Sequence, residues 1–178
     1  MKTELEQLQK METWKLVSLP GGRKPMGCKW VFSVKLDENE NPVHFRAQLV
    51  AKGYSQIPRQ DFDQTFSPVM RLDSLRNLIA IAAIHDLDMC ILDVKSAYLH
   101  GDLDETIYME QPKGFNDGTP QVCLLIHSLY GLKQSGRAWN KTLDTHLKDL
   151  GYQQLNADHC IVSMNRRSPM RGCKPHLL

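Results

Sequence analysis

The sequence lacks any apolar run approaching the roughly 18 residues that would cross a bilayer, so no membrane contact is expected. Its start, Met1-Lys2-Thr3-Glu4, is too polar for a secretory leader, and the expected location is cytoplasmic or nuclear. Cysteine is scarce: five residues, an odd number, at positions 28, 90, 123, 160 and 173. No two have the spacing of a zinc ligand set, and the adjacent His159-Cys160 has no second pair near it. Three lie in apolar, strand-like runs, which predicts buried free thiols. The sequence also lacks a large net charge and any internal repeat. The formal +2 is misleading, because Arg166, Arg167, Arg171 and Lys174 sit in a tail with no acidic residue; without them the chain carries −2. Nucleic-acid binding by overall charge is thereby excluded, and any case for it must be local.

What is present is the composition of a globular protein, 42% hydrophobic and 24% charged. The length allows one moderate core, or a small domain with an appendage. Residues 1–13 predict a short amphipathic helix on Leu5 and Leu8, weakly anchored. An extended piece over 14–20 ends at Pro20-Gly21-Gly22. Residues 28–36 and 43–52 alternate apolar and polar across the polar turn 37–42, which predicts an antiparallel hairpin. Pro58 and Pro68 keep 53–71 irregular. Asp73 or Ser74 is expected to cap a helix through Ile84, with Leu75, Leu78, Ile79 and Ala82 on one face. Short strands follow at 106–110 and 122–126, then a helix over 135–150 with Trp139, Leu143, Leu147 and Leu150 as its inner stripe and Gly151 as its terminator. A last strand is expected at 160–164. The tail from Asn165 has no periodicity and reads as disordered and basic.

Two stretches carry chemistry. In Ile91-Leu92-Asp93-Val94, period two predicts a strand with Met89, Ile91 and Asp93 on one face and Cys90, Leu92 and Val94 on the other. A carboxylate at the end of such a strand, among Asp86, Asp88, Asp102, Asp104, Glu105 and Glu110, is either solvated or half of a metal site. The second stretch, 23–71, has eight basic residues against five acidic ones. They are carried on strands interleaved with Trp30, Phe32, Phe45 and Tyr54. That pattern suits either a nucleic-acid strand, a triphosphate, or an ordinary solvated hairpin face.

Five longer motifs occur in one order: Lys29-Trp30-Val31-Phe32, Leu49-Val50-Ala51-Lys52-Gly53-Tyr54-Ser55-Gln56, Thr65-Phe66-Ser67-Pro68-Val69, Asp93-Val94-Lys95-Ser96-Ala97-Tyr98-Leu99-His100-Gly101 and Ser128-Leu129-Tyr130-Gly131-Leu132-Lys133-Gln134. With them the chain closely resembles the reverse transcriptase of Ty1/copia-type LTR retrotransposons, over residues 13–162. The resemblance implies an α+β fold, an incomplete right-hand polymerase: a fingers β-hairpin plus the first part of a palm with an antiparallel sheet and packed helices. The implied division is a helical lead at 1–13, a fingers-like region at 14–71, a partial palm at 72–164 and the tail at 165–178. It implies RNA/DNA primer–template and dNTP as partners and Mg²⁺ as cofactor. Asp93 matches the first catalytic, metal-binding aspartate, with the Val94 carbonyl completing its share of the ligands. Tyr98 matches the aromatic that screens the sugar 2′ position. Gly131 and Lys133 match the loop that holds template and nucleotide, and Lys35 the strand that reaches the triphosphate. Arg46 and Lys52 fall where the hairpin meets nucleic acid.

The resemblance also has gaps. Phosphoryl transfer of this kind uses two divalent ions roughly 3.5–4 Å apart, which one aspartate cannot hold. The family's second catalytic motif, a Tyr-Xaa-Asp-Asp hairpin after the strand at 160–164, has no counterpart; the last acidic residue is Asp158. Asp88 precedes Asp93 by five residues, roughly 16 Å along a strand, too far to share an ion. Gln48 stands where the family usually has Arg, and Gly136 where it usually has Pro. The expectation is a truncated copy, its reading frame lost near Met164, catalytically incompetent alone. The alternatives are a non-enzymatic nucleic-acid-binding remnant and an unselected transposon relic.

Overall fold

The computed structural model describes residues 1–164, so the tail reading lies outside the described residues. The chain divides into two compact units: Met1–Ser67 with Val94–Thr142, and Pro68–Asp93 with the chain from Leu143 onward. The class is α+β, with small antiparallel sheets and three α-helices among the described residues.

In the first unit, α1 (Lys2–Lys10) precedes β1 (Trp14–Val17). A long hairpin follows, β2 (Cys28–Leu36) and β3 (Pro42–Ala51), antiparallel with Trp30 opposite Leu49 and Phe32 opposite Ala47. Its turn is tied by Asp37, whose carboxylate accepts the backbone N–H groups of Asn39 and Asn41. Two short strands, β4 (Tyr108–Met109) and β5 (Val122–Leu125), complete a three-stranded sheet in the order β1-β5-β4. The core gathers Leu8, Met26, Cys28, Leu49, Ala51, Leu99, Ile107, Met109, Cys123 and Leu125. Leu8 is 1% exposed, which corrects the weak anchoring expected of the first helix. Burying a leucine to that degree stabilises by about 1.5–3 kcal/mol, enough to hold a nine-residue helix that has little stability alone.

Burial pushes the thiol of Cys28 up to about 11, with Glu110 adding to it, and that of Cys123 up to about 12. The buried-thiol reading therefore holds for these two, whereas Cys90 is exposed. Cys173 lies outside the described residues.

The second unit contains α2 (Leu72–Ile84), the end of α3 (Ser135–Asp149) and a two-stranded ribbon, β6 (Tyr152–Gln154) with β7 (Val162–Met164). Helix α2 begins at Leu72 with Arg71 as its N-cap residue, two residues ahead of the nearer expected cap, and neither Asp73 nor Ser74 caps it. The cap is remote: the Asp158 carboxylate accepts the Arg71 N–H at 3.1 Å and the Cys160 N–H at 2.9 Å, and hydrogen-bonds the Ser74 hydroxyl. The apolar face of α2 is largely open, with only Ala82 buried and Ile79, Ile81 and Ile84 exposed. Gly151 ends α3 at φ +92°, in the left-handed region, as expected.

The strand expected to carry Asp93 does not form. Residues 87–94 pair with no neighbour, and Ile91 and Leu92 are 98% and 84% exposed. Period two marks a segment able to be a strand, but a strand exists only when a partner takes its backbone N–H and C=O groups. The ribbon β6–β7 pairs with itself.

Candidate functional site

The hairpin separates what the sequence interleaves. Because side chains alternate across a pleated strand, the register puts Lys29, Val31, Ser33 and Lys35 on one face with Val50, Gln48, Arg46 and His44. Trp30, Phe32 and Val34 share the opposite face with Leu49, Ala47 and Phe45. Cations and aromatics therefore lie on opposite faces. Near the base of the hairpin Trp30 is fixed by Phe115 at 5.7 Å and by donating its indole N–H to the Lys113 carbonyl. Farther out, Phe32 and Phe45 are exposed. Lys52 follows the end of β3, its stem against Gly27, with the Glu110 carboxylate close to the same glycine.

The loop 128–134 is seated against the end of β3 by backbone contact. Gly131 has φ +92°, and a Cβ there would overlap the Ala51 carbonyl oxygen and lie 2.6 Å from Val50 Cγ1. A Cβ on Gly53 would likewise overlap the Gly131 carbonyl. Only glycine allows this approach. Ala51 N–H then donates to the Tyr130 carbonyl at 2.7 Å. Beneath the loop, Gln56 Oε1 accepts the Lys133 N–H at 2.8 Å while its amide donates to Gln134 Oε1 at 2.9 Å. The Gln134 amide in turn donates to the Asp61 carbonyl at 2.7 Å and to Glu105 at 3.2 Å. Both glutamines are buried. Arg23 braces this network, 3.4 Å from the Asp61 carboxylate, donating to the Thr106 carbonyl and lying over the Tyr108 ring.

These contacts bring several expected site residues together. The Tyr98 ring lies 5.1 Å from that of Tyr130. Burial pushes the Tyr130 phenol up, opposed by Arg46. Gly131 follows directly. Lys133 is turned onto the face of Phe62, 4.4 Å from its centroid, a cation–π contact. Lys35 is exposed on the Arg46 face of the hairpin, two cross-strand pairs nearer its tip. The division between the two compact units falls between Asp93 and Val94. Asp93 is exposed in its unpaired segment, and among the described residues no group of three or more His, Cys, Asp or Glu side chains could hold a metal ion. The described residues do not fit a two-ion centre.

Sequence reasoning gave no role to Tyr130, Gln56, Gln134 or Asp61. Both glutamines stand inside quoted motifs; their signal is burial, which sequence does not display.

With this geometry in hand, comparison decides the family. The family described as "Reverse transcriptase (RNA-dependent DNA polymerase)" matches residues 11–168. The chain belongs to the reverse transcriptase family. The retrovirus-related Pol polyprotein from transposon TNT 1-94 of Nicotiana tabacum is 47% identical over 163 residues, 90% of this chain and 12% of that protein. The corresponding polyprotein from transposon RE2 of Arabidopsis thaliana is 38% identical over 157 residues, 86% of this chain and 11% of that protein. The Ty1-ER2 Gag-Pol polyprotein of Saccharomyces cerevisiae is 30% identical over 167 residues, 89% of this chain and 9% of that protein. This reverse transcriptase chain thus spans about a tenth of the length of the curated relatives it matches. No solved structure matches it. The family binds nucleic-acid template and nucleotides and uses divalent metal ions. Among the described residues no helix is long and apolar enough to cross a membrane.

Proposed function

We propose that this chain is the template- and nucleotide-gripping part of a Ty1/copia-type RNA-directed DNA polymerase, and that these 178 residues alone do not polymerise. The carrying observation is the cluster in which the Tyr98 and Tyr130 rings lie 5.1 Å apart and Gly131 is locked to the end of the hairpin strand that carries Arg46. It joins a cationic strand face to an aromatic floor, as holding a nucleoside triphosphate requires. In this reading Lys35, Tyr98, Gly131 and Lys133 bind the nucleotide, and Arg46 and Lys52 contact primer–template. Asp93 and Val94 are the chain's share of a Mg²⁺ site that needs further carboxylates. The exposed apolar residues of α2 and of segment 87–92 are what a palm without its remaining strands would present.

Primer extension on a primed RNA template with Mg²⁺ or Mn²⁺ tests the inactivity. No incorporation is expected; template-dependent synthesis abolished by Asp93→Asn would overturn it. Primer–template binding tests the grip. Retention should be salt-dependent, and Lys35→Ala or Arg46→Ala should each reduce the salt slope by about 1. Phe32→Ala, on the opposite face, should leave that slope unchanged. Binding lost only when residues 166–178 are removed would show tail electrostatics instead.

A further inference from the structure

Lys133 is held at both ends by one turn of the chain. Its backbone N–H donates to Gln56 Oε1 at 2.8 Å, and its ammonium lies 4.4 Å from the centroid of the Phe62 ring. Gln56 and Phe62 flank the turn 57–61, which closes on itself. The N–H groups of Gln60 and Asp61 donate to the Ile57 carbonyl, and the Arg59 N–H donates to the Phe62 carbonyl at 2.8 Å. The Asp61 carboxylate accepts the Ile57 N–H at 2.9 Å, and the Asp61 carbonyl accepts the Gln134 amide at 2.7 Å. The turn is therefore tied both to itself and to the residue after Lys133. Phe62 presents its ring from a fixed backbone.

That ring holds Lys133 without answering its charge. Among the described residues Lys133 enters no ion pair. An acid stands next to Phe62 in the chain, but the Asp61 carboxylate is turned onto the Ile57 N–H and Arg23. A carboxylate would hold the ammonium and cancel its field. An aromatic face attracts it through the ring quadrupole and leaves its net charge intact. A free lysine stem has to be ordered before it can grip an anion, whereas a seated one has already lost that freedom.

We infer that Phe62 is the positioning residue for Lys133: its ring seats the ammonium, with the charge unanswered, for a phosphate group of the nucleotide. The inference rests on the proposed nucleotide-binding role of Lys133. The competing account is that Phe62 only packs against the aliphatic stem of a surface lysine.

A double-mutant cycle on the full chain, read by titration calorimetry with inorganic tripolyphosphate, separates the two accounts. Phe62→Leu keeps apolar bulk for the stem but removes the ring. It should weaken binding by about threefold to tenfold, the effect of having to order one lysine on binding. Phe62→Tyr, which keeps the ring, should bind as the unaltered chain does. In the Lys133→Ala background Phe62→Leu should cause no further loss, because the seat then has no occupant. Equal weakening by Phe62→Leu in both backgrounds would show that Phe62 acts through the fold, and would overturn the inference. Unchanged or tighter binding by Phe62→Leu, beside weaker binding by Lys133→Ala, would also overturn it and leave the nucleotide reading standing. Binding that Lys133→Ala does not weaken, or no binding by the unaltered chain, would overturn both.

Discussion

Gln56 and Gln134 share a 2.9 Å hydrogen bond across 78 residues of sequence, and through it the loop carrying Gly131 and Lys133 is held to the segment that follows the hairpin. Each amide uses both ends: one glutamine holds the Lys133 N–H, the other reaches the Asp61 carbonyl and Glu105. Buried amides are costly unless fully paired, so the pair works as a unit.

Truncating either member should show this. Gln56→Ala leaves the Lys133 N–H without its partner, and the expected loss is about 1–3 kcal/mol, read by urea unfolding. Gln134→Ala should cost a similar amount. Because the two share one network, the double variant should cost less than the sum. Strict additivity would show that the two do not act together.

Gly131→Ala tests the backbone approach. At φ +92°, with its Cβ overlapping the Ala51 carbonyl, alanine has to push the loop off the strand. The Ala51–Tyr130 hydrogen bond should be lost and the thermal midpoint should fall by several degrees, about 2–4 °C for each kcal/mol in a chain of this size. Gly118→Ala also has a positive φ but open space around its Cβ, and should cost distinctly less.

Asp158 predicts an acid-sensitive second unit. Hydrogen bonds from Ser74, Cys160 and Arg71, together with the Arg71 charge, hold its carboxyl down at about 2. A folded-state value below the unfolded one means that its contribution is present above the unfolded value of about 4. It is lost as pH falls from there through about 2. Urea midpoints measured from pH 5 to pH 2 should therefore decline, and Asp158→Asn should flatten that part of the decline. An unchanged profile in the variant would rule out this cap as the acid-labile element.

Thiol labelling checks the core. At neutral pH, Cys90 is exposed and should alkylate first, Cys160 more slowly. Cys28 and Cys123, buried and raised to about 11 and about 12, should react only on unfolding. Mass spectrometry of the labelled peptides gives the order directly.

Much of the first unit is legible in the sequence because its signals are local. Alternation over 28–36 and 43–52, with a polar turn between, gave the hairpin to within one residue at each end. The apolar period and Gly151 gave α3 to within one residue. The order of five motifs identified the family. The Asp93 segment was misread for an equally definite reason: alternation describes which faces a strand would have, not whether a neighbour is there to pair with it. The remote cap of α2 escaped because Asp158 lies 87 residues from Arg71, the residue it serves.

The sequence by itself determined the elements and the kinship: periodicity and turn residues act over a few neighbours, and long motifs in fixed order are specific. Tertiary structure alone decided three things. It placed the cations and aromatics of the hairpin on opposite faces, through cross-strand register. It joined Gln56 to Gln134 beneath the Lys133 loop, a pairing that burial makes obligatory. And it seated Leu8 of α1 in the core, because the side chains it packs against come from distant parts of the chain.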